Sequence, residues 1–439
     1  MKKYTDNFFF TIFLISIFLI KLPVFYITPH QYKILTTHTL AKFLLLLLFL
    51  SILIKQIFKK NRLFNFNNIH ILIPFLFFIT QALSGLMVID FFYYLKDLHN
   101  LFFAFLIFFI SFFILRFNKN GLKIVTNFIV VTGLIVLLFD IVYFIFSQSF
   151  LNFIKLILEK ESFPVYQVNL DRGRFNLYLY TELFFPFFFI YYLKGDTSQK
   201  VMLFFIISLL IFTTYISNFR HRLLFLFLEL VFIFFLFRKS FYFKSSKFIF
   251  FIFIIIFFTA PFFTRPYQKQ NLIDRLIMTY EGDVRSAYFR LESLKLSTEL
   301  FFSSPLLGVG LGNYKIYVND RSRFFIFDRI RNELNSQTLN DPHSIFSKTL
   351  GETGILGILA FLTMVFFFFK NDLIFFNKYV VNNNQDFLIL AYIISFWAYF
   401  IVILITPSIT LFRGGWFWFL RGVIEGYYFN QSQGIRKSK

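Results

Sequence analysis

Apolar runs of about 18–22 residues recur along this chain from end to end, each long enough to cross the hydrocarbon core of a bilayer as a helix. No other feature restricts the fold so strongly. Of 439 residues, 58% are hydrophobic and 15% charged, so a soluble fold of this size has no interior able to hide the apolar surface. The candidate spans are 8–27, 39–54, 69–88, 98–115, 124–146, 175–193, 201–216, 223–237, 248–264, 345–369, 387–406 and 411–428. They predict an all-α polytopic membrane protein, a single integral membrane domain over 1–439 with about twelve transmembrane helices.

Short linkers orient the spans. Lys55, Lys59, Lys60 and Arg62 follow the second span, Arg116, Lys119 and Lys123 the fourth, and Arg238, Lys239, Lys244 and Lys247 the eighth. Lys2 and Lys3 lead the chain, Lys370 and Lys378 follow the tenth span, and Arg436, Lys437 and Lys439 close it. With alternating spans all of these fall on one side, and the opposite short loops around Lys33 and Lys96 are nearly bare of cations. Both termini are therefore expected in the cytoplasm. The first apolar run has no small-residue cleavage site after it and reads as a retained helix rather than a signal peptide. With no cysteine in the chain, disulfides, thiolate chemistry and Cys-based metal sites are excluded.

Two long loops land on the outer side, 147–174 and 265–343, and the second is far longer than an ordinary connection. Its stretch "DVRSAYFRLESLKLSTELFF" repeats apolar residues at Val284, Tyr288, Leu291, Leu294 and Phe301. This spacing predicts an amphipathic helix against the membrane or the bundle, capped by Asp283 and ended before Pro305.

The residues able to do chemistry gather on the outer side. In "DPHSIFSKTLGETGILGILAFL", Asp341 suits a helix cap and Pro342 the first helical residue, which puts His343 in the first turn of the tenth span. The helix dipole there disfavours the imidazolium, so the neutral ring accepts a proton or a hydrogen bond from a hydroxyl. The blander alternative is a histidine that caps or packs. "YISNFRHRLL" places Arg220 and Arg222 at the outer end of the seventh span, "NLDRGRFN" places Arg172 and Arg174 just outside the sixth, and Arg290 lies on the amphipathic helix. The guanidinium fork matches phosphate oxygens in pairs, which suits a lipid-linked phosphate or pyrophosphate. Headgroup contact and snorkelling compete with that reading.

Gly308, Gly310 and Gly312 in "SSPLLGVGLGNYKIY" read as a tight turn re-entering the bundle, since no strand precedes them in a nucleotide-binding setting. Gly351, Gly354 and Gly357 read as a close helix-packing seam. Glu352, inside that span, wants a partner: either a structural Arg–Glu pair or a functional role. Lys42, Gln81, Asp140, Glu182 and Glu229 are further intramembrane polar residues that keep a transporter open, and Arg421 and Glu425 are spaced to pair on one helix face.

Several of these blocks resemble one family. "PHSIFSKTLGETGILGILAF" resembles the signature of the O-antigen ligase and polymerase superfamily, in which His-Asn is followed by Leu and then Glu-x-Gly-x-x-Gly. "RLESLKLSTELFFSSPLLGVGLGNY" is similar to its preceding segment, "SNFRHR" to its Ser-Arg or Thr-Arg motif, and "FWFLRGVIEG" to its last helix, so the resemblance covers about 170–428. Ser344 stands where the family usually has Asn, and His221 follows Arg220 where a small residue is usual. The resemblance implies a GT-C-like membrane glycosyltransferase of the bacterial inner membrane, with 265–343 as a large periplasmic loop. Such an enzyme moves a glycan from undecaprenyl pyrophosphate to an acceptor sugar, as ligase or polymerase, without metal or other cofactor. Its partners would be the lipid-linked donor, the acceptor sugar and membrane lipids, with no nucleic acid. Arg220 and Arg290 are carried over as pyrophosphate contacts and His343 as the base or acceptor-orienting group. Arg174, Arg172, Arg222 and Glu352 are carried as substrate-binding candidates. A lipid-linked oligosaccharide flippase is the competing class, but it needs cations along a central cavity rather than on one outer face.

Overall fold

The computed structural model describes residues 11–16, 37–59, 68–117, 121–145, 181–216, 220–237, 243–264, 285–319, 344–377, 387–405 and 411–437. Among these residues every regular element is helical. The α-helices are α1 (Thr37–Lys59), α2 (Ile69–Leu83), α3 (Phe91–Phe117), α4 (Gly121–Ile145), α5 (Phe185–Lys194), α6 (Thr197–Ile216) and α7 (Arg220–Phe237). They continue with α8 (Phe243–Thr264), α9 (Arg285–Ser303), α10 (Tyr314–Asn319), α11 (Ile345–Phe375), α12 (Phe387–Ile405) and α13 (Leu411–Lys437). Five stretches within the described residues are long and apolar enough to cross a membrane: Ile69–Met87, Phe91–Phe113, Gly121–Leu138, Thr197–Tyr215 and Ile345–Phe375. Each apolar run read from the sequence is helical wherever it is described.

One boundary differs usefully from the sequence reading. Helix α3 begins at Phe91 rather than at 98, so Lys96 is helical and not part of a loop. The Asp90 carboxylate starts the helix by accepting from the backbone N–H of Phe92 at 2.8 Å and of Tyr93 at 3.3 Å. The apolar-run criterion stops at Lys96 and Asp97 because it counts charges, not helix caps.

The chain divides into two compact units. One comprises 1–43, 118–283 and 386–402; the other comprises 44–117, 284–385 and 403–439. In the first, α4 to α8 pack with most of α12. Gly133 leaves room for Phe184, since a Cβ there would sit 2.7 Å from the ring. Phe187 meets Tyr392 edge-on at 4.9 Å between centroids, and the Tyr392 hydroxyl lies 3.2 Å from that of Thr126.

The second unit is built around α2, α3, α9, α11 and α13. Helices α3 and α13 run in the same direction with their backbones nearly touching. A Cβ at Gly422 would come within 2.5 Å of the Phe108 carbonyl oxygen, and one at Gly426 within 2.6 Å of the Phe112 carbonyl. Further along, Asn430 Nδ2 donates to the Leu115 carbonyl at 3.2 Å. This is the small-xxx-small device that lets membrane helices approach closely.

Against α11, helix α9 presents Ser293, Leu296, Ser297 and Leu300, all buried. Leu294, which the sequence pattern puts on the packed stripe, is 40% exposed. The stripe is amphipathic as expected but shifted by one residue, because small serines let the two helices approach: a Cβ at Gly351 would lie 3.2 Å from the Ser297 Cα. The helix ends at Ser303, before Pro305, as expected.

Helix α11 is broken. Gly354 has φ 60° and ψ −156°, so the helix is two pieces with a kink between them. The segment after α9 fills the gap with backbone bonds. Val309 N–H donates to the Gly351 carbonyl at 3.1 Å, and Gly310 N–H to that of Glu352 at 2.9 Å. In return Ile355 N–H donates to the Pro305 carbonyl at 2.8 Å, and Leu356 N–H to that of Leu306 at 3.3 Å. The expected re-entrant turn is therefore present, and Gly354, read as a packing glycine, is instead the break. Gly354→Ala is expected to destabilise the protein by at least about 1–3 kcal/mol, the cost of a glycine-only backbone region, before its clash is counted. A Cβ there would meet the Gly308 nitrogen at 2.7 Å. Thermal unfolding of the purified variant in detergent checks it: an unchanged midpoint would contradict the broken helix.

Candidate functional site

Helices α9 and α11 run in the same sense where they touch. Ser297 lies against Gly351, and the residues that follow, Pro305 and Leu306, bond to Ile355 and Leu356. Arg290 lies seven residues before Ser297 (297 − 290), and Ser344 lies seven before Gly351 (351 − 344). At 1.5 Å per residue both positions stand about 10 Å from the contact, toward the same end of the unit. Seven residues are close to two turns, so the Arg290 position also falls on the stripe of α9 that faces α11.

The start of α11 is capped by Ser344, whose Oγ accepts from Phe346 N–H at 3.2 Å. The cap is thus three residues later than the expected Asp341, and His343 precedes the helix instead of lying in its first turn. Ser, like Asn, is a good cap, so Ser344 has a hydrogen-bonding role here as the N-cap of α11. His343 itself lies outside the described residues, as do Arg172 and Arg174.

Glu352 is 1% exposed. Its Oε1 accepts from Tyr314 N–H at 3.4 Å, and Lys348 Nζ stands 3.9 Å from Oε2. Lys348 is thus a cationic neighbour that the sequence reading did not name, and the contact with Tyr314 ties α10 to the break in α11. Lys348 also holds Asp97 of α3 at 2.7 Å. Beside this ion pair is a cavity of about 520 Å³, its open mouth included, whose wall carries Gln81, Asp97, Asn100, Lys348 and Thr349. Of these only Gln81 stood out in the sequence. Asp97 lay just outside the apolar run used to place the fourth span, and Asn100, inside it, had nothing local to set it apart.

The arginines of α7 belong to the other unit. Arg220 is the first residue of the helix, and Arg222 is buried two residues later. The Arg222 Nε donates to Glu182 Oε1 at 3.1 Å and to Oε2 at 2.9 Å, while its NH2 meets Oε2 at 2.8 Å. Glu182 opens a short 3-10 turn ahead of α5. One turn deeper in the unit, Ser395 Oγ lies 3.4 Å from Glu229 and 3.3 Å from the Leu183 carbonyl.

A second ionic cluster occupies α2, α11 and α13. Arg421 donates to both Asp372 oxygens at 3.0 and 2.8 Å, pairs with Glu425 as its four-residue spacing predicted, and lies 4.2 Å over the Phe368 ring. Glu425 also binds His70 and accepts from Asn371 at 3.1 Å, and the Tyr428 hydroxyl donates to Asp372 at 2.7 Å. His70 carried no signal in the sequence, because its partner is 355 residues away.

Arg222 and Glu182 together make a test of structural against ligand-binding use. Replacing Glu182 by Leu alone strands a buried guanidinium and is expected to cost about 3–5 kcal/mol, while replacing both residues by Leu restores most of it. Unfolding midpoints of the single and double variants check this, and equal losses in both would show that the pair is not the reason for the burial.

Residues 203–362 match the O-antigen ligase family model. That segment holds Arg220, Arg222, Arg290, His343 and Glu352, together with both halves of the backbone interlock at Gly354. No curated protein matches the chain. Over residues 203–362, the chain is similar to the O-antigen ligase superfamily, as its motifs indicate.

Proposed function

We propose that the chain is a GT-C-like membrane glycosyltransferase that moves a glycan from undecaprenyl pyrophosphate to an acceptor sugar at the periplasmic face of the bacterial inner membrane. An O-antigen ligase is preferred to a polymerase of the same family. The observation that carries this reading is the register of α9 and α11, which stand parallel with the Arg290 position and the start of α11 at one level. In this proposal Arg290 and His343 serve one site, and the shared level of the Arg290 position and the start of α11 supports that assignment.

The chemistry follows from those two groups and Arg220. The acceptor oxygen attacks the anomeric carbon, the bond from that carbon to the pyrophosphate oxygen breaks, and the pyrophosphate leaves with the electron pair. Arg290 and Arg220 meet the charge that develops on it. His343 orients the acceptor hydroxyl and takes its proton. Arg220 is preferred to Arg222 because Glu182 already takes the Nε and NH2 donors of Arg222. Arg174 and Arg172 are secondary contacts to the donor. Glu352 supports the site through Tyr314 and Lys348 rather than by touching substrate.

About twelve spans with cytoplasmic termini complete the proposal and place these residues on the outer face. In cells with a permeable outer membrane, a membrane-impermeant thiol reagent is expected to label Ser336→Cys but not Asn383→Cys until the inner membrane is broken. The reverse pattern removes the site from the periplasm. In purified protein, Arg290→Lys and His343→Ala are expected to lower transfer by about a hundredfold to a thousandfold. His343→Ala should still bind the lipid-linked donor. Near-normal transfer by both His343→Ala and Arg290→Ala would overturn the mechanism. Deletion separates the two family activities: a lipid core without long polysaccharide indicates the ligase, and single repeat units on the core indicate the polymerase.

A further inference from the structure

We propose that the cavity walled by α2, α3 and the first half of α11 is a subsite for a neutral saccharide of the acceptor, read by Asn100 and Gln81. The proposal rests on the transferase reading above and adds to it specificity residues from outside the 203–362 segment.

The wall offers hydrogen-bonding groups that the protein itself leaves unused. Asn100 lines the cavity, and its side chain makes no hydrogen bond among the described residues. Gln81 is 4% exposed and gives only Nε2, to Thr353 at 3.2 Å, so the rest of its amide has no partner among the described residues. Amide atoms that open onto a cavity with bonding capacity to spare can meet a ligand or water there. Phe77, Leu101 and Leu311 supply an apolar floor beside these groups. Apolar surface with a few placed amides suits the two faces of a sugar ring, whose C–H groups pack while its hydroxyls bond.

The cation of the wall is already engaged. Lys348 is the cation of the cavity wall, and it is held by Asp97 at 2.7 Å with Glu352 at 3.9 Å. Lys348 is thus already engaged by carboxylates, whereas the amides of Asn100 and Gln81 are suited to bond hydroxyl groups. The position is also right for an acceptor. Ile345 lines the cavity, and two peptide units hold the His343 Cα within about 7 Å of the Ile345 Cα. A hydroxyl of a sugar seated here would then lie near the group assigned to take its proton.

The experiment uses the full chain in lipid nanodiscs, with a polyprenyl-pyrophosphate-linked glycan as donor and the acceptor lipid extracted from the deletion strain. Initial rates are measured against each substrate for the wild type, Asn100→Ala and Gln81→Leu, with an unfolding midpoint for each. Each variant is expected to raise the acceptor KM about tenfold, the loss of one hydrogen bond in a buried site, with kcat and the donor KM within about twofold of wild type. A purely structural role would lower the midpoint and kcat and leave the acceptor KM unmoved. An unchanged acceptor KM in both variants, with a wild type that transfers glycan, overturns the subsite and leaves the transferase standing. A rise in the donor KM instead assigns the cavity to the donor and also overturns it. A wild type that transfers nothing under these conditions sinks the transferase reading, and the subsite with it.

Discussion

The structure depends most on how the peptide groups around Gly354 find partners. A helix that breaks within an apolar layer frees carbonyls from its first half and N–H groups from its second, and each left unpaired there costs several kcal/mol. Here the carbonyls of Gly351 and Glu352 and the N–H groups of Ile355 and Leu356 are all taken up by residues 305–310. The exchange needs the two backbones in contact. That is why Gly308, at φ +67°, has the Glu352 carbonyl carbon where its Cβ would be, at 2.4 Å. Side chains could be redesigned around such a joint, but the joint itself leaves no room for one.

This joint links α9 to α11 and so sets what lies at the end of each. The Gly310 and Gly312 positions extend the same loop over α3 and the turn before it. A Cβ at Gly310 would meet Val88 at 2.3 Å, and one at Gly312 the Tyr93 carbonyl oxygen at 2.5 Å. Asn313 adds side-chain bonds to the start of α3, accepting from Asp90 N–H at 2.9 Å and Ile89 N–H at 3.2 Å. One loop thus ties α3, α9 and α11 together at the end of the unit that holds the Asp97–Lys348 pair. At the other end Arg421 collects Asp372 and Glu425. Polar groups gather at the two ends, while the stretch between is held by aromatic packing such as Phe77 against Trp418 and Phe361.

The sequence made the helices legible because apolar length is a strong signal, and charge and spacing are what nominated the residues of the proposed site. It did not show the break. Gly351, Gly354 and Gly357 are spaced like a packing seam, and only the backbone angles separate Gly354 from the other two. The packed stripe of α9 was misplaced by one residue because Ser293 and Ser297 score as polar, although their small size is what lets α11 approach. Asp97 was passed over because the apolar run was begun after it, whereas Asp90 starts the helix well before, and Asn100 lay inside the run with nothing local to set it apart. Arg421 and Glu425 were legible as a pair because a helix brings residues four apart together. Asp372 and His70 were not, because nothing local points to a partner in another helix.

In the proposed mechanism, the two arginines of α7 divide structural and reactive work within a single turn. Residues two apart on a helix stand about 200° apart around its axis, so positions 220 and 222 lie on nearly opposite sides of α7. Arg222 faces the interior of its unit and is fixed there by Glu182 in a paired geometry. A buried ion pair adds little net stability over an apolar pair, but it is intolerant of displacement, because moving either partner strands a charge. It therefore acts as a pin that holds the first turn of α7 in rotation and depth. The first position of that helix, which the proposal assigns to the pyrophosphate, inherits the precision of the pin. The same logic applies at Ser344, where a cap fixes the first turn of α11 just after His343. In both places the group assigned to chemistry is adjacent in sequence to one whose hydrogen bonds are already committed, and the committed neighbour does the positioning.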